Sequence, residues 1–283
     1  MFGIFQKSWQ FFRKLANIPI ISTLLKFVMV PFLIQFVLMF FMVAYKIAYG
    51  TEQKIVDLTW EFDEKTIYWP GFQKFNYTKK IGTSESGYWY AGNEFQAAEH
   101  GGTHLDAPYH FIKDGWKVAD IPINRFFANA IMVDFSSEVE AHGSDYIVDA
   151  KLLESKLKSF EPIQNNTVLL IKYGWSKYWP DKKQYMRLDD EQVGHYPGLD
   201  NSSATVIAND DRFIGIAVDT SSADAGISEN YAAHRILLGR NMYILENTKM
   251  VEHFPEKMFT LVVAPMKLTE GSGAPVRIFA VLT

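Results

Sequence analysis

The chain has 283 residues, a formal net charge of −4 and no cysteine. That length suits one large domain or two small ones, and 48% hydrophobic and 15% aromatic residues are enough for a sizeable core. The charge balance, with no long basic stripe, carries no nucleic-acid footprint. Without cysteine, disulfides, iron–sulfur clusters, thiolate zinc sites and thiol nucleophiles are excluded, so any metal must be held by nitrogen and oxygen.

The first fifty residues differ from the rest. No charged residue occurs from Phe27 to Tyr45. This run is close to the roughly twenty residues a helix needs to span a bilayer. Lys7, Arg13, Lys14 and Lys26 precede it, and no acidic residue appears before Glu52. The positive-inside bias then keeps the N-terminus cytosolic and sends the remainder to the lumenal or extracellular side. The preferred reading is a single-pass signal-anchor over residues 1–50. The alternatives are a signal peptide cleaved after Gly50, with Ala48 and Gly50 as the small residues, or a buried hairpin. Three sequons, at Asn76, Asn165 and Asn201, add slight support for a secretory route. The lack of cysteine pulls gently the other way.

Residues 51–283 read as one unit, with no repeat or low-complexity linker. "KIVDLTW", "AIMVDF", "TVLLIKYGW", "FIGIAVDT", "MYILENT", "FTLVVAPMKL" and "VRIFAVLT" are short β-rich runs. Many are continuously apolar, as strands covered on both faces are. "DAKLLESKLKSF" places Leu152, Leu153, Leu157 and Phe160 at helical spacing, and "SENYAAHRILLGR" is a second helical pattern ended by Gly239. Strands mixed with helices at these intervals predict an α/β domain with a largely buried sheet.

One stretch stands apart. "EHGGTHLDAPYHF", Glu99 to Phe111, holds three of the seven histidines. The glycine pair and Pro108 argue against a continuous helix. If "THLDA" is extended, His104 and Asp106 point to one side, because strand side chains alternate. The glycines let His100 fold onto the same side. Two imidazoles and a carboxylate then converge, a set that suits Zn²⁺ or Mn²⁺. His110 would stand just outside, where a proton shuttle belongs. A further ligand is needed. His234, in the helical "YAAHRILLG", and Glu246, at the end of "MYILEN", could be brought together by a helix–turn–strand return. On the residues alone they read more simply as one polar residue on an amphipathic helix and an exposed acid beside a turn.

The stretch from His100 to Phe111 resembles the signature H-x-G-T-H-x-D-x-P-x-H-F of the cyclase family of metal-dependent hydrolases, which includes bacterial kynurenine formamidases and isatin hydrolases. Further blocks match in order: "DLTW", "YWPG", "KYGWSKYW", "YPGLD", "VDTSSAD" and "PMKLTEGSGAPVRIFAVL". The likeness covers roughly residues 54 to 283. It implies a swivelling β/β/α fold, homo-oligomers such as dimers, and two adjacent divalent metal ions, Zn or Mn. In that pattern His100, His104 and Asp106 hold the first ion. Asp106 bridges to the second, which His234 and Glu246 complete, and His110 is the catalytic histidine. The implied reaction is hydrolysis of an aryl formamide, N-formyl-kynurenine to kynurenine and formate, with opening of a cyclic amide or lactone as the alternative. A catalytically weak binding protein at a membrane surface is the reading from a different class.

Expectations for substrate contacts are looser. Trp69, Tyr88, Trp89, Tyr90, Phe95 and Trp175 flank the metal motifs in sequence and could stack on an anilide ring. Trp69 leads, since the family's equivalent loop lines the site. Many relatives carry an acidic residue after the Pro-Gly of that loop, where this chain has Phe72. Thr220 and Ser222 could bring hydroxyls near the second metal, although a turn role fits them equally.

Overall fold

The computed structural model describes residues 32, 34–41, 53–84, 86–251, 253–254 and 257–282. Residues 34–41 are helical with exposed apolar side chains. The rest of the apolar run at 27–45, Phe32 excepted, lies outside the described residues. Among the described residues no helix is long and apolar enough to cross a membrane.

Lys54–Leu282 forms a compact unit of mixed α/β structure. Its strands are β1 (Lys54–Asp57), β2 (Asn76–Lys79), β3 (Glu94–Gln96), β4 (His104–Asp106), β5 (Phe127–Asp134), β6 (Thr167–Lys172), β7 (Phe213–Val218), β8 (Tyr243–Glu246), β9 (Phe259–Pro265) and β10 (Gly273–Leu282). Its helices are α1 (Ser136–His142), α2 (Ala150–Lys158), α3 (Lys182–Met186), α4 (Asn201–Ala208) and α5 (Ala232–Gly239). All seven apolar runs picked out above contain a strand. The pairing order is β1-β10-β4-β8-β7-β6-β5-β9, and β9 also pairs with β10. That last pairing closes seven strands into a barrel, with β1 added on the edge of β10. The largely buried sheet expected from the spacing is thus a closed barrel. Strands β5 to β8 are parallel neighbours joined through helices, and the remaining pairs are antiparallel. The β2–β3 hairpin lies apart as a two-stranded sheet that the apolar pattern did not announce.

Strand alternation sorts the side chains. Val168, Leu170, Ala217, Tyr243, Leu245, Leu105, Leu261, Val263, Ala274, Val276 and Ile278 fill one core. With Ala128 and Ala130 of β5 these come from all seven barrel strands and form its interior. Gly215 on β7 leaves room for the Tyr243 ring, which a Cβ there would meet at 2.8 Å. Leu169, Ile171, Ile216, Val218 and Ile244 belong to a second core with Leu153, Leu157, Leu237 and Leu238 of the helices. The continuous apolar runs of β6 and β7 thus serve two cores at once.

Helices α2, α3 and α4 start with ordinary aspartate caps. Asp149 accepts the Leu152 amide at 2.7 Å to open α2, and Asp200 accepts the Ser203 amide at 2.9 Å to open α4. Helix α5 begins after Tyr231, whose φ of +49° breaks the chain direction, so the helical pattern starts later than the sequence suggested. Its cap comes from outside: Asp224 accepts the amides of Ala233 (2.8 Å) and His234 (3.2 Å).

Candidate metal centre

The centre is built on β4 and β8, which pair antiparallel with His104 opposite Glu246 and Leu105 opposite Leu245. Leu105 and Leu245 enter the barrel interior, so His104, Asp106 and Glu246 must face the other way. All three are nearly fully buried. His234 arrives from α5, the helix that leads into β8. His100 comes from the loop before β4. Gly102 bends that loop with φ +56°, and a Cβ there would meet Phe62 at 2.8 Å. The Gly102 amide donates to Ile67 O, and the side-chain amide of Asn247, just past β8, donates to Gly102 O at 2.8 Å. Thr103 donates its hydroxyl to Asn247 O at 2.8 Å. The start of β4 and the end of β8 are thereby tied together.

The distances are short. His100 Nδ1 lies 2.6 Å from Asp106 Oδ1, and His104 Nε2 lies 3.2 Å from the same oxygen. His234 Nε2 is 3.4 Å from Asp106 Oδ2 and 3.1 Å from Glu246 Oε1. His104 Nε2 is 3.5 Å from Glu246 Oε2. Asp106 thus turns one oxygen to His100 and His104 and the other to His234. The second oxygen, Oδ2, is buried and has no hydrogen-bond partner.

Proton positions follow from the outer partners. His104 Nδ1 donates to the Gly102 carbonyl at 3.0 Å. His234 Nδ1 lies 2.6 Å from Asp224 Oδ2, an oxygen that already accepts a backbone amide, so Nδ1 carries the proton. Both rings therefore turn Nε2 to the carboxylates, the nitrogen left to bind a cation once its proton is displaced. This is the orientation imposed on metal-ligating histidines by a partner on the far nitrogen. A buried carboxylate oxygen without a hydrogen bond and imidazole nitrogens turned inward fit a divalent cation bound by nitrogen and oxygen.

Among the described residues, two sets of three ligand atoms lie within 4.8 Å of one another: His104, Asp106 and Glu246, and His100, Asp106 and His110. This division differs from the one the family resemblance implies, where His104 sits with His100. The β4–β8 register is the cause, because it sets His104 directly across from Glu246.

The electrostatics are those of imidazoles and carboxylates crowded together out of water. Burial opposes charge on His104, but the Asp106 and Glu246 carboxylates overcome it and raise the ring to about 9. Burial likewise opposes charge on His234, and Asp106, Asp224 and Glu246 hold it well above its ordinary value. Asp106 is held well below the carboxylate range, against its burial, by the three histidines around it. His110 is the opposite case. Burial pulls it down to about 4; Asp106 opposes this, and the other three histidines add to it. Its ring stacks on His100 with centroids 3.9 Å apart.

A cavity of about 290 Å³ opens over these groups. Ile67, Trp69, Phe72, Phe111, Met186 and Tyr231 wall it, and His100, His104, His110, His234 and Glu246 form its polar side. Trp69 lines the cavity, and Phe72 makes its wall apolar. The other aromatics singled out from the sequence are elsewhere. Tyr88, Trp89, Tyr90 and Phe95 are exposed on the β2–β3 hairpin, and Trp175 is in the helical core, donating its indole N–H to Tyr185 O at 2.7 Å. Ser222 lines the cavity. Thr220 does not: its hydroxyl donates to Ser222 O at 2.8 Å and holds a turn. Asp224 closes the block "VDTSSAD", where nothing in the residues marks it as the partner of His234.

The geometry has counterparts among known proteins. Residues 56–225 match the Cyclase family. The kynurenine formamidase of Bacillus cereus is 28% identical over 224 residues, covering 78% of this chain and 94% of that protein. That of Bacillus cytotoxicus is 29% identical over 222 residues, with the same coverage. Isatin hydrolase A from Ralstonia solanacearum superimposes with a TM-score of 0.76 at 26% identity, covering 85% of this chain and 96% of that one. The family match spans residues 56–225, more than half of the chain, so the chain belongs to the Cyclase family.

Proposed function

We propose that this protein hydrolyses the amide bond of an aryl formamide, with N-formyl-kynurenine as the substrate and kynurenine and formate as products. The observation that carries the reading is the inward convergence of imidazole nitrogens and two carboxylates beneath an aromatic-walled cavity. His100, His104, Asp106, His234 and Glu246 would hold two divalent ions, zinc or manganese. Such ions supply a nucleophilic water at neutral pH and an electrophile for the carbonyl.

The chain's own residues do the rest. Trp69 and Phe72 offer faces for the aryl ring and keep bulk water from it. His110, pulled down to about 4, is neutral at pH 7 and can take the proton from the attacking water. It then returns that proton to the departing amide nitrogen, without which an amine leaves poorly. Asp224 and the Gly102 carbonyl keep His234 and His104 in the tautomer that faces inward.

Opening of a cyclic amide, as in isatin, is the second reading, favoured by the likeness to isatin hydrolase A across nearly its whole length. Attachment to a membrane through residues 27–45 and assembly as a homodimer belong to this proposal as well. The test is turnover of N-formyl-kynurenine and of isatin by the full-length protein, before and after chelation, with metal counted by elemental analysis. Turnover of the formamide that disappears on chelation supports the first reading. Turnover of isatin alone supports the second. Metal-loaded protein that turns over neither is a binding protein.

A further inference from the structure

His104 and His234 are held by their Nδ1 atoms and present Nε2. His100 is turned the other way round. Its Nδ1 faces Asp106, and its Nε2 lies 2.8 Å from Ser272 Oγ, on the loop that leads into β10. What that hydroxyl does decides where the His100 proton sits.

Ser272 belongs to a small built cradle. Glu99 Oε2 receives the Ser272 amide at 3.0 Å, the Gly273 amide at 3.3 Å and the Ser272 hydroxyl at 2.7 Å. An oxygen held by two amide donors is an acceptor, and the hydroxyl has one proton to give it. With that proton committed to Glu99, Ser272 Oγ meets His100 as an acceptor, and His100 must donate from Nε2. Nδ1 is then the nitrogen with its lone pair directed at the metal position. Gly273 completes the cradle. A Cβ there would stand 2.5 Å from His100 Cε1 and 2.9 Å from its Nδ1. On its other side the ring is stacked by His110.

We infer that Glu99 and Ser272 are positioning residues that fix His100 as an Nδ1 ligand, through the chain Glu99–Ser272–His100, and so govern one of two metal positions selectively. The inference rests on the metal-dependent reading above. The selectivity follows from separate outer partners: Gly102 and Asp224 hold the other two histidines without any contact to this chain of bonds. Nothing in the resemblance or the spacing singled out Glu99 or Ser272, which are 173 positions apart.

The test uses the full-length protein and zinc alone. Long-range ¹H–¹⁵N spectra of the zinc-loaded protein should show His100 protonated at Nε2 and coordinated at Nδ1, with His104 and His234 the reverse. Zinc competition with a chromophoric chelator should resolve two affinities. Ser272→Ala should weaken one of them by about 10–100-fold, the range for lost outer partners of a ligand, and leave the other unchanged. Ser272→Thr, which keeps the hydroxyl, should restore it. His100 found protonated at Nδ1 overturns the inference without using any variant. So does a Ser272→Ala protein with both affinities unchanged, or with both equally weakened and no rescue by Thr. An unmodified protein that takes up no zinc fails differently: it removes the metal-dependent reading itself, and this inference with it.

Discussion

Strands β4 and β8 each have two faces, and the two faces do opposite work. Leu105 and Leu245 point into the barrel, fully buried among aliphatic neighbours. One residue away on either side, His104, Asp106 and Glu246 point outward and are buried as well, yet every one is polar or charged. Burial is the same and the chemistry is not. An apolar side chain gains from leaving water, whereas a buried carboxylate is tolerated only with partners. The alternation of a strand keeps the two kinds of burial a single residue apart, so a rigid apolar interior can hold the reactive face in place.

Substitutions on the two faces should therefore fail in different ways. The largest effect is expected at Asp106→Asn, which removes a charge from the midpoint of the cluster at nearly constant shape. Metal content should fall, and turnover of N-formyl-kynurenine should drop by more than about 10³-fold, the several kcal/mol that metal assistance is worth. Full metal content with full activity would show that Asp106 is not the shared ligand. His110→Ala should lose about 10²–10⁴-fold in kcat while binding metal normally. Unchanged kcat would take the ring out of proton transfer.

Leu105→Ala belongs to the opposite face. It should cost about 2–5 kcal/mol in urea unfolding, as a fully buried leucine does, and the folded fraction should keep its kcat. A loss of activity without a loss of stability would break the comparison. Metal uptake sharpens it further. In the metal-free protein at pH 7, His104 at about 9 and His234 above its ordinary value both carry a proton. Binding a cation must displace these protons, so uptake should release about two, and apparent affinity should rise with pH toward 9. Calorimetry in buffers of different ionisation heat measures the number, and zero release would mean that the rings are not ligands. The smallest effect is expected at the cavity wall. Trp69→Ala should raise KM by about 2–10-fold with kcat little changed, the worth of one aromatic contact.

Much of this was legible in the chain itself. The absence of cysteine limits any metal to nitrogen and oxygen donors, and the crowding of His100, His104, Asp106 and His110 around a glycine pair marks where it would sit. The seven apolar runs mark strands, and Leu153 and Leu157 mark α2, because alternation and helical spacing are local properties that a short window contains. What pairs with what is not local. The β9–β10 pairing that closes the barrel, and the register that sets Glu246 opposite His104, depend on how all seven strands fill one interior together. The same holds for Asp224, Glu99 and Ser272, ordinary polar residues until the fold carries each to the far nitrogen of a histidine or to the group that holds it. Trp89 and Trp175 make the point from the other side. Both are tryptophans near the metal motifs in sequence, yet one is 77% exposed and the other 1%. Side-chain type sets what a residue can do, but only the packed tertiary structure decides which neighbours and how much water it meets.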